Sequence, residues 1–290
     1  MPFRMMVIAA HPDDEALGFG GLLARTAAAG DETYLVTATR GDRGRYLGHP
    51  PGHPAHPGRD ELAALREREL EASAQVLGVR EVTQLGYPDQ QLDSVPVAEV
   101  VGRLSAQIRR VRPHVVVTFG PDGGYGHPDH IAVSQFAAAA VLAAAQPSRQ
   151  ADYPEPHSVS KLYYLAWTES EWAAYQAAFK TLTSTVDGVV RQAVPWPHWA
   201  VTTVVDTRPW WSVVWSAIQC HRSQIGAYQV LWALSDTERE ALFGTQSLYR
   251  AQSLVNGGRQ RETDVFDGLL RYRAGARDWV GDQRQVVQDE

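Results

Sequence analysis

The 290-residue chain contains a single cysteine, Cys220. One thiol closes no internal disulfide and builds no thiolate zinc site, so any metal centre must draw on nitrogen and oxygen ligands. Cationic excess is also missing. Lys+Arg total 27 against 33 Asp+Glu, a net charge of −6, and only two of the basic residues are lysine, Lys161 and Lys180. A protein that grips a phosphate backbone carries the opposite balance, so no nucleic-acid partner is expected. Long apolar runs are absent as well. Met5 to Ala10 is shorter than a signal-peptide core, and the uncharged stretch Ile131 to Ser148 is mostly alanine, interrupted by Ser134, Gln135, Gln146 and Pro147. That stretch reads as a soluble helix, so no membrane partner is expected and the cytoplasm is the default compartment. What remains is an ordinary globular composition, 44% hydrophobic and 9% aromatic, which excludes disorder as the dominant state.

The first half alternates strand and helix signals. Met5–Ala10 is a short apolar run suited to a strand buried on both faces. Glu15 to Ala29 carries apolar residues at helical spacing and stops at Gly30. Thr33–Thr39, Val82–Leu85 and Val115–Phe119 read as strands; Asp60–Leu77, Val97–Val111 and Pro128–Ala145 read as helices. This alternation predicts an α/β fold with a Rossmann-like parallel sheet flanked by helices. Beyond Pro147 the pattern loosens, with strands expected at Lys161–Trp167 and Ala200–Val205, a helix at Trp210–Ile218 and a polar tail. One domain is expected over 1–290, with a core to about 167 and a C-terminal extension from about 168 that completes the pocket. The loop 41–59, rich in proline, glycine and histidine, is long for a strand–helix connection, and such loops are usually functional.

Two segments carry the chemistry. His11-Pro12-Asp13-Asp14-Glu15 follows the first strand, and His127-Pro128-Asp129-His130 follows the strand ending near Phe119. Open α/β sheets place ligands at carboxyl ends of strands, and a 3-2-1-4 strand order would bring these two ends together. Two imidazoles and one carboxylate leave positions open for water and substrate, as in a catalytic zinc site. A further carboxylate can accept a proton, and a further histidine can donate to a developing oxyanion. Asp129 is left over to orient an imidazole from behind. Either segment alone is equally compatible with a polar turn or a helix cap.

A strand leading into Ala-His-Pro-Asp-Asp-Glu, followed later by Tyr-Gly-His-Pro-Asp-His, resembles the LmbE/PIG-L-type metal-dependent N-acetylglucosamine deacetylases, which include enzymes of mycothiol and bacillithiol metabolism. The resemblance covers roughly residues 5 to 145 and continues more weakly through Asp206 and His221-Arg222-Ser223-Gln224. It implies that His11, Asp14 and His130 bind a divalent metal, zinc (Zn2+) with iron (Fe2+) as the alternative. It further implies that Asp13 is the general base, that His127 stabilises the oxyanion or helps protonate the leaving amine, and that Tyr125 closes over the substrate carbonyl. Arg66 and Asp89 would contact the substrate, and His221 would reach the pocket as a polar contact. For these last three, a surface pair with Glu69, a turn aspartate and a packed core histidine are the plain structural readings.

The expected activity is hydrolysis of an N-acetyl group on a glucosamine-containing small molecule. The alternatives are magnesium-dependent phosphoryl transfer through Asp13 and Asp14, or a non-catalytic sugar-binding protein on the same fold. A homo-oligomer is compatible with the sequence. Gly18-Phe19-Gly20-Gly21 lacks the spacing of a dinucleotide loop and reads as small residues for close packing. His49, His53 and His56 read as a solvated loop, and the tryptophans between 196 and 215 as core or interface.

Overall fold

The structure, a computed structural model, describes residues 1–147, 154–179, 183–186, 188–255 and 260–270. The polar tail beyond 270 and Lys180 lie outside the described residues. In chain order the elements are β1 (Arg4–Ala9), α1 (Asp14–Leu17), α2 (Gly20–Ala28), β2 (Glu32–Thr39), α3 (Arg59–Val76), β3 (Glu81–Tyr87), α4 (Val97–Val111) and β4 (Val115–Thr118). There follow the four-residue turn α5 (Gly123–Gly126), α6 (Pro128–Ala144), β5 (Lys161–Leu165), α7 (Glu169–Phe179), β6 (Thr183–Val186) and β7 (Val189–Gln192). The chain continues with β8 (Thr203–Asp206), α8 (Trp211–Ile218), α9 (Ile225–Trp232), α10 (Asp236–Phe243) and β9 (Thr245–Ser253).

Seven strands form one mixed sheet in the order β3-β2-β1-β4-β5-β9-β8, and β6 and β7 form a separate hairpin. The first five run parallel, while β9 joins antiparallel to β5 and β8 antiparallel to β9. The inner strands carry β-branched and aliphatic residues on both faces because helices cover both sides. Met5 to Ala10 and Val115 to Val117 are all buried, and α4 and α6 pack against each other on one side.

Several features differ from the sequence expectation, among them the following. The first helix breaks at Gly18-Phe19, because α2 must lie close to the C-terminal half. A Cβ on Gly20 would stand 3.1 Å from Val214 Cγ1, and one on Gly21 2.7 Å from the Thr207 Cβ. Those glycines therefore serve close packing. The strand expected over 200–205 begins only at Thr203. The strand Thr245–Ser253 escapes a pattern search because its apolar positions, Leu248, Tyr249 and Ala251, do not alternate cleanly.

Ile8 is buried on β1, in the middle of the parallel strands, so Ile8→Ala should cost about 2–5 kcal/mol. The loss is read as a lower denaturant midpoint at unchanged slope.

Candidate active site

The parallel pairing of β1 with β4 runs from Met5↔Val115 to Ile8↔Thr118, so both strands stop at the same sheet edge. Beyond β1 the chain turns back on its own carboxylate: Asp14 Oδ2 accepts the His11 N–H at 2.7 Å and the Ala10 N–H at 3.1 Å. This turn forces Asp13 to φ +113°, a conformation that costs a non-glycine residue of order 1–3 kcal/mol. It persists because Asp13 is held from two directions. Its N–H donates to Glu15 Oε2 at 2.8 Å, and its Oδ2 accepts from Arg66 Nη2 at 2.9 Å. Arg66 also donates to the carbonyls of Pro12 and Gly41.

Beyond β4 the chain passes through Gly123, Gly124 and Gly126, with φ of 64°, 73° and 82°. Side chains are disfavoured there, and a Cβ on Gly123 would lie 3.0 Å from the Ile131 backbone nitrogen. The turn delivers His127 to the N-cap of α6, with Pro128 in the first helical position. His130 follows less than one turn later, its ring stacked on Phe119 with centroids 4.0 Å apart.

The two segments meet at three donor residues. His11 Nδ1 lies 3.2 Å from His130 Nε2, His130 Nε2 lies 3.4 Å from Asp14 Oδ1, and His11 Nδ1 lies 3.6 Å from Asp14 Oδ2. Tetrahedral bonds of about 2.0–2.1 Å imply ligand–ligand edges of about 3.3 Å, close to the His11–His130 and His130–Asp14 separations, while Asp14 meets the two imidazoles through different oxygens. His127 completes a looser set with His11 and His130, all donor atoms within 4.8 Å. His11 and His130 belong to both arrangements, and Asp14 adds a negative charge to the first.

The outward-facing ring nitrogens are anchored as metal-ligating imidazoles usually are. His11 Nε2 lies 3.1 Å from both Asp129 Oδ2 and Asp89 Oδ1, and His130 Nδ1 lies 3.2 Å from the Gly123 carbonyl. Burial would depress the His11 imidazole, but the charge of Asp89 and hydrogen bonds to Asp129, Asp14 and Asp89 hold it well above its ordinary value. Burial would likewise raise Asp14, yet His130 and His11 hold it well below the usual carboxylate range. Both shifts arise from imidazoles and carboxylates packed together in one buried cluster.

His127, His11, Asp13, Asp14, His130 and Tyr125 line one cavity of about 310 Å³. Burial and the neighbouring His11 and His130 push His127 down to about 3, so it is neutral at working pH. Its Nδ1 accepts the Asp129 N–H at 3.2 Å, which leaves the proton on Nε2. Burial pushes the Tyr125 phenol well up, so it stays protonated.

The remaining expected residues sit as follows. Asp129 is buried and ties three elements together, accepting from the Gln90 and Leu92 N–H groups while it contacts His11. Asp89 lines the cavity, but its Oδ1 faces His11 and its Oδ2 accepts the Arg43 N–H at 3.2 Å, so holding His11 and the loop competes with any sugar contact. Arg66 is buried and locks Asp13, which corrects the plain reading of a surface pair. Glu69 is also buried, accepting the Ser223 N–H and hydroxyl. His221 does not line this cavity, so the expected substrate contact is corrected: it is fully buried, and its Nε2 lies 2.6 Å from Glu15 Oε1.

Glu15 is the residue that sequence reasoning missed. It sits where a helix-capping acid is ordinary, yet it is fully buried and collects Ser73 Oγ, His221 Nε2 and the Asp13 N–H. Trp167 and Tyr175, stacked at 4.6 Å, form an aromatic wall of the cavity that no motif announces. If Glu15 sets the Asp13 backbone, Glu15→Gln should lower kcat by on the order of 10–100-fold at unchanged metal content. Metal analysis beside steady-state kinetics checks this outcome.

Residues 6–141 match the family model described as PIG-L: GlcNAc-PI de-N-acetylase. A 1D-myo-inositol 2-acetamido-2-deoxy-alpha-D-glucopyranoside deacetylase of Streptomyces avermitilis is 32% identical over 298 residues, covering 92% of this chain and 97% of its own length. The protein of the same description from Streptomyces griseus is 33% identical over 293 residues, covering 92% and 89%. Among solved structures, the conserved protein TT1542 from Thermus thermophilus superposes with a TM-score of 0.58 at 27% identity, covering 87% of this chain and 96% of that one. A match at this identity over 92% of the chain, with a family match whose span includes both motifs that meet in the cavity, places this chain in the PIG-L family of de-N-acetylases.

Proposed function

We propose that the protein is a metal-dependent amide hydrolase that removes the N-acetyl group from a glucosamine-containing small molecule, with zinc as the metal. The observation that carries this reading is the convergence of three kinds of group on one cavity: the donor atoms of His11, Asp14 and His130, the restrained carboxylate of Asp13, and the neutral imidazole of His127. Curated relatives covering nearly the whole chain are described as deacetylases of an acetamido-deoxy-glucopyranoside, which supports the same chemistry. Phosphoryl transfer finds no support, since magnesium prefers oxygen to imidazole ligands.

His11, Asp14 and His130 would hold a divalent ion, which when bound would supply Lewis acidity toward the acyl oxygen and toward a water molecule, whose pKa such ions lower from 15.7 toward about 7. The chain's own groups do the rest. Asp13, fixed by Arg66 and Glu15, accepts the proton of the attacking water. The Nε2–H of His127 donates to the acyl oxygen as negative charge develops there, a role open to a neutral imidazole. Tyr125, protonated and lining the same cavity, offers a second donor. Asp13 then returns its proton to the departing amine, and acetate and the free amino sugar leave. The aromatic wall of Trp167 and Tyr175 gives the sugar an apolar surface and reduces competing water.

Asp13→Ala should bind metal as the parent does and lose turnover by about 10²–10⁴-fold. Acetate release from an N-acetylglucosaminide, measured beside metal content, checks the assignment. Near-parental activity in that variant would remove Asp13 from the mechanism.

A further inference from the structure

A second, open cavity of about 470 Å³ adjoins the catalytic one and shares Gly44 and Gln90 with it. Its charged lining is entirely cationic: Arg43, Arg45 and Arg59, with Pro50 and Pro51 stiffening the wall. No carboxylate among the described residues lines it, which is unexpected in a chain whose net charge is −6. The acids nearest in sequence are committed elsewhere: Asp42 accepts the Asp89 N–H, and Asp60 pairs with Arg40. Among the described residues none of the three arginines has a carboxylate within ion-pair distance. Arg45 donates to the Gly48 carbonyl at 3.1 Å, and the Arg43 Nε is buried without a hydrogen-bond partner.

A buried guanidinium nitrogen left without an acceptor is costly unless a ligand supplies one. Guanidinium groups favour phosphate and carboxylate oxygens, which they bind through paired, charge-assisted hydrogen bonds. The cavity is also held in shape. Leu47 N–H donates to the Ser223 carbonyl at 2.7 Å and Gln224 Nε2 to the Arg45 carbonyl at 2.9 Å, fastening the arginine loop to the C-terminal half. Gly226 lies so close to Leu47 and Gly48 that a Cβ there would stand 2.4 Å from the Leu47 carbonyl carbon.

We propose that Arg43, Arg45 and Arg59 form a subsite for an anionic oxygen group, phosphate or carboxylate, on the part of the substrate beyond the acetylated sugar. This rests on the deacetylase reading, and it narrows the substrate class to N-acetylglucosamine conjugates with an acidic aglycone. The subsite discriminates among substrates and takes no part in bond cleavage. Because Arg45 and Arg59 are exposed, the discrimination is sensitive to salt.

The test compares three probes: the methyl glycoside of N-acetylglucosamine, its carboxyethyl glycoside, and N-acetylglucosamine 1-phosphate. Binding is measured by calorimetry and turnover by acetate release, for the parent, an Arg43→Gln/Arg45→Gln variant and the charge-keeping Arg43→Lys/Arg45→Lys variant. The parent should bind at least one anionic probe about tenfold more tightly than the neutral one. The glutamine variant should lose most of that preference while turning over the neutral probe within about twofold of the parent, and the lysine variant should recover part of it. The carboxylate and phosphate arms identify which anion the subsite takes. Equal binding of all three probes by the parent, or an equal loss for neutral and anionic probes in the glutamine variant, would overturn the proposal. Charge-selective binding without acetate release would instead leave the subsite standing and count against the deacetylase reading.

Discussion

The ladder between β1 and β4 governs everything at the catalytic edge. Four residue pairs, Met5↔Val115 to Ile8↔Thr118, set the two strands in parallel register and end them together. That register determines that His11 and His130, more than a hundred residues apart in the chain, face each other at 3.2 Å rather than one strand pitch away. The strands are held by apolar burial on both faces, so the core fixes the edge from which the two histidine segments leave. A shift by one residue would turn alternate side chains to the opposite face and scatter the donors.

Around that edge the protein concentrates charge that would be unfavourable in an ordinary core. Asp14, Asp89 and Asp129 are buried within reach of His11, and Glu15 is buried against His221. Isolated carboxylates in such surroundings cost several kcal/mol each. Here the carboxylates have backbone N–H, hydroxyl or imidazole partners, and the inner group surrounds His11. The outer group does different work: Glu15 and Arg66 hold Asp13 in a backbone conformation that it would not adopt on its own. Glu15 and Arg66 thus set the direction in which the Asp13 carboxylate points.

The sheet's parallel half was legible because its strands are buried on both faces and end in motifs. The run Met5–Ala10 and the β-branched Val115–Phe119 announce themselves, and helix 97–111 has the bounds that its apolar spacing predicts. The pairing of the two histidine segments followed from strand order. What stayed hidden depends on distant partners. Glu15 looks like a capping acid because its partners, Ser73 and His221, lie 58 and 206 positions away. His221 was expected at the substrate for the same reason, since its sequence neighbours do not reveal that Glu15 occupies its imidazole. Arg66 and Glu69 have the spacing of a surface pair, and the packing of α3 against α1, α8 and residues 222–224 buries them. The strand Thr245–Ser253 and the cationic cavity arise from the C-terminal half folding back onto the sheet and the 41–59 loop.

On the proposed reading, one divalent ion held by His11, Asp14 and His130 makes this cavity a deacetylase. That reading is tested most directly by stripping the protein of metal and titrating zinc back while following acetate release from an N-acetylglucosaminide. Activity should be absent in the stripped protein and rise linearly to a break at one ion per chain, with no such recovery for His130→Ala. Full activity in the stripped protein, or a full response to zinc in His130→Ala, would contradict the account.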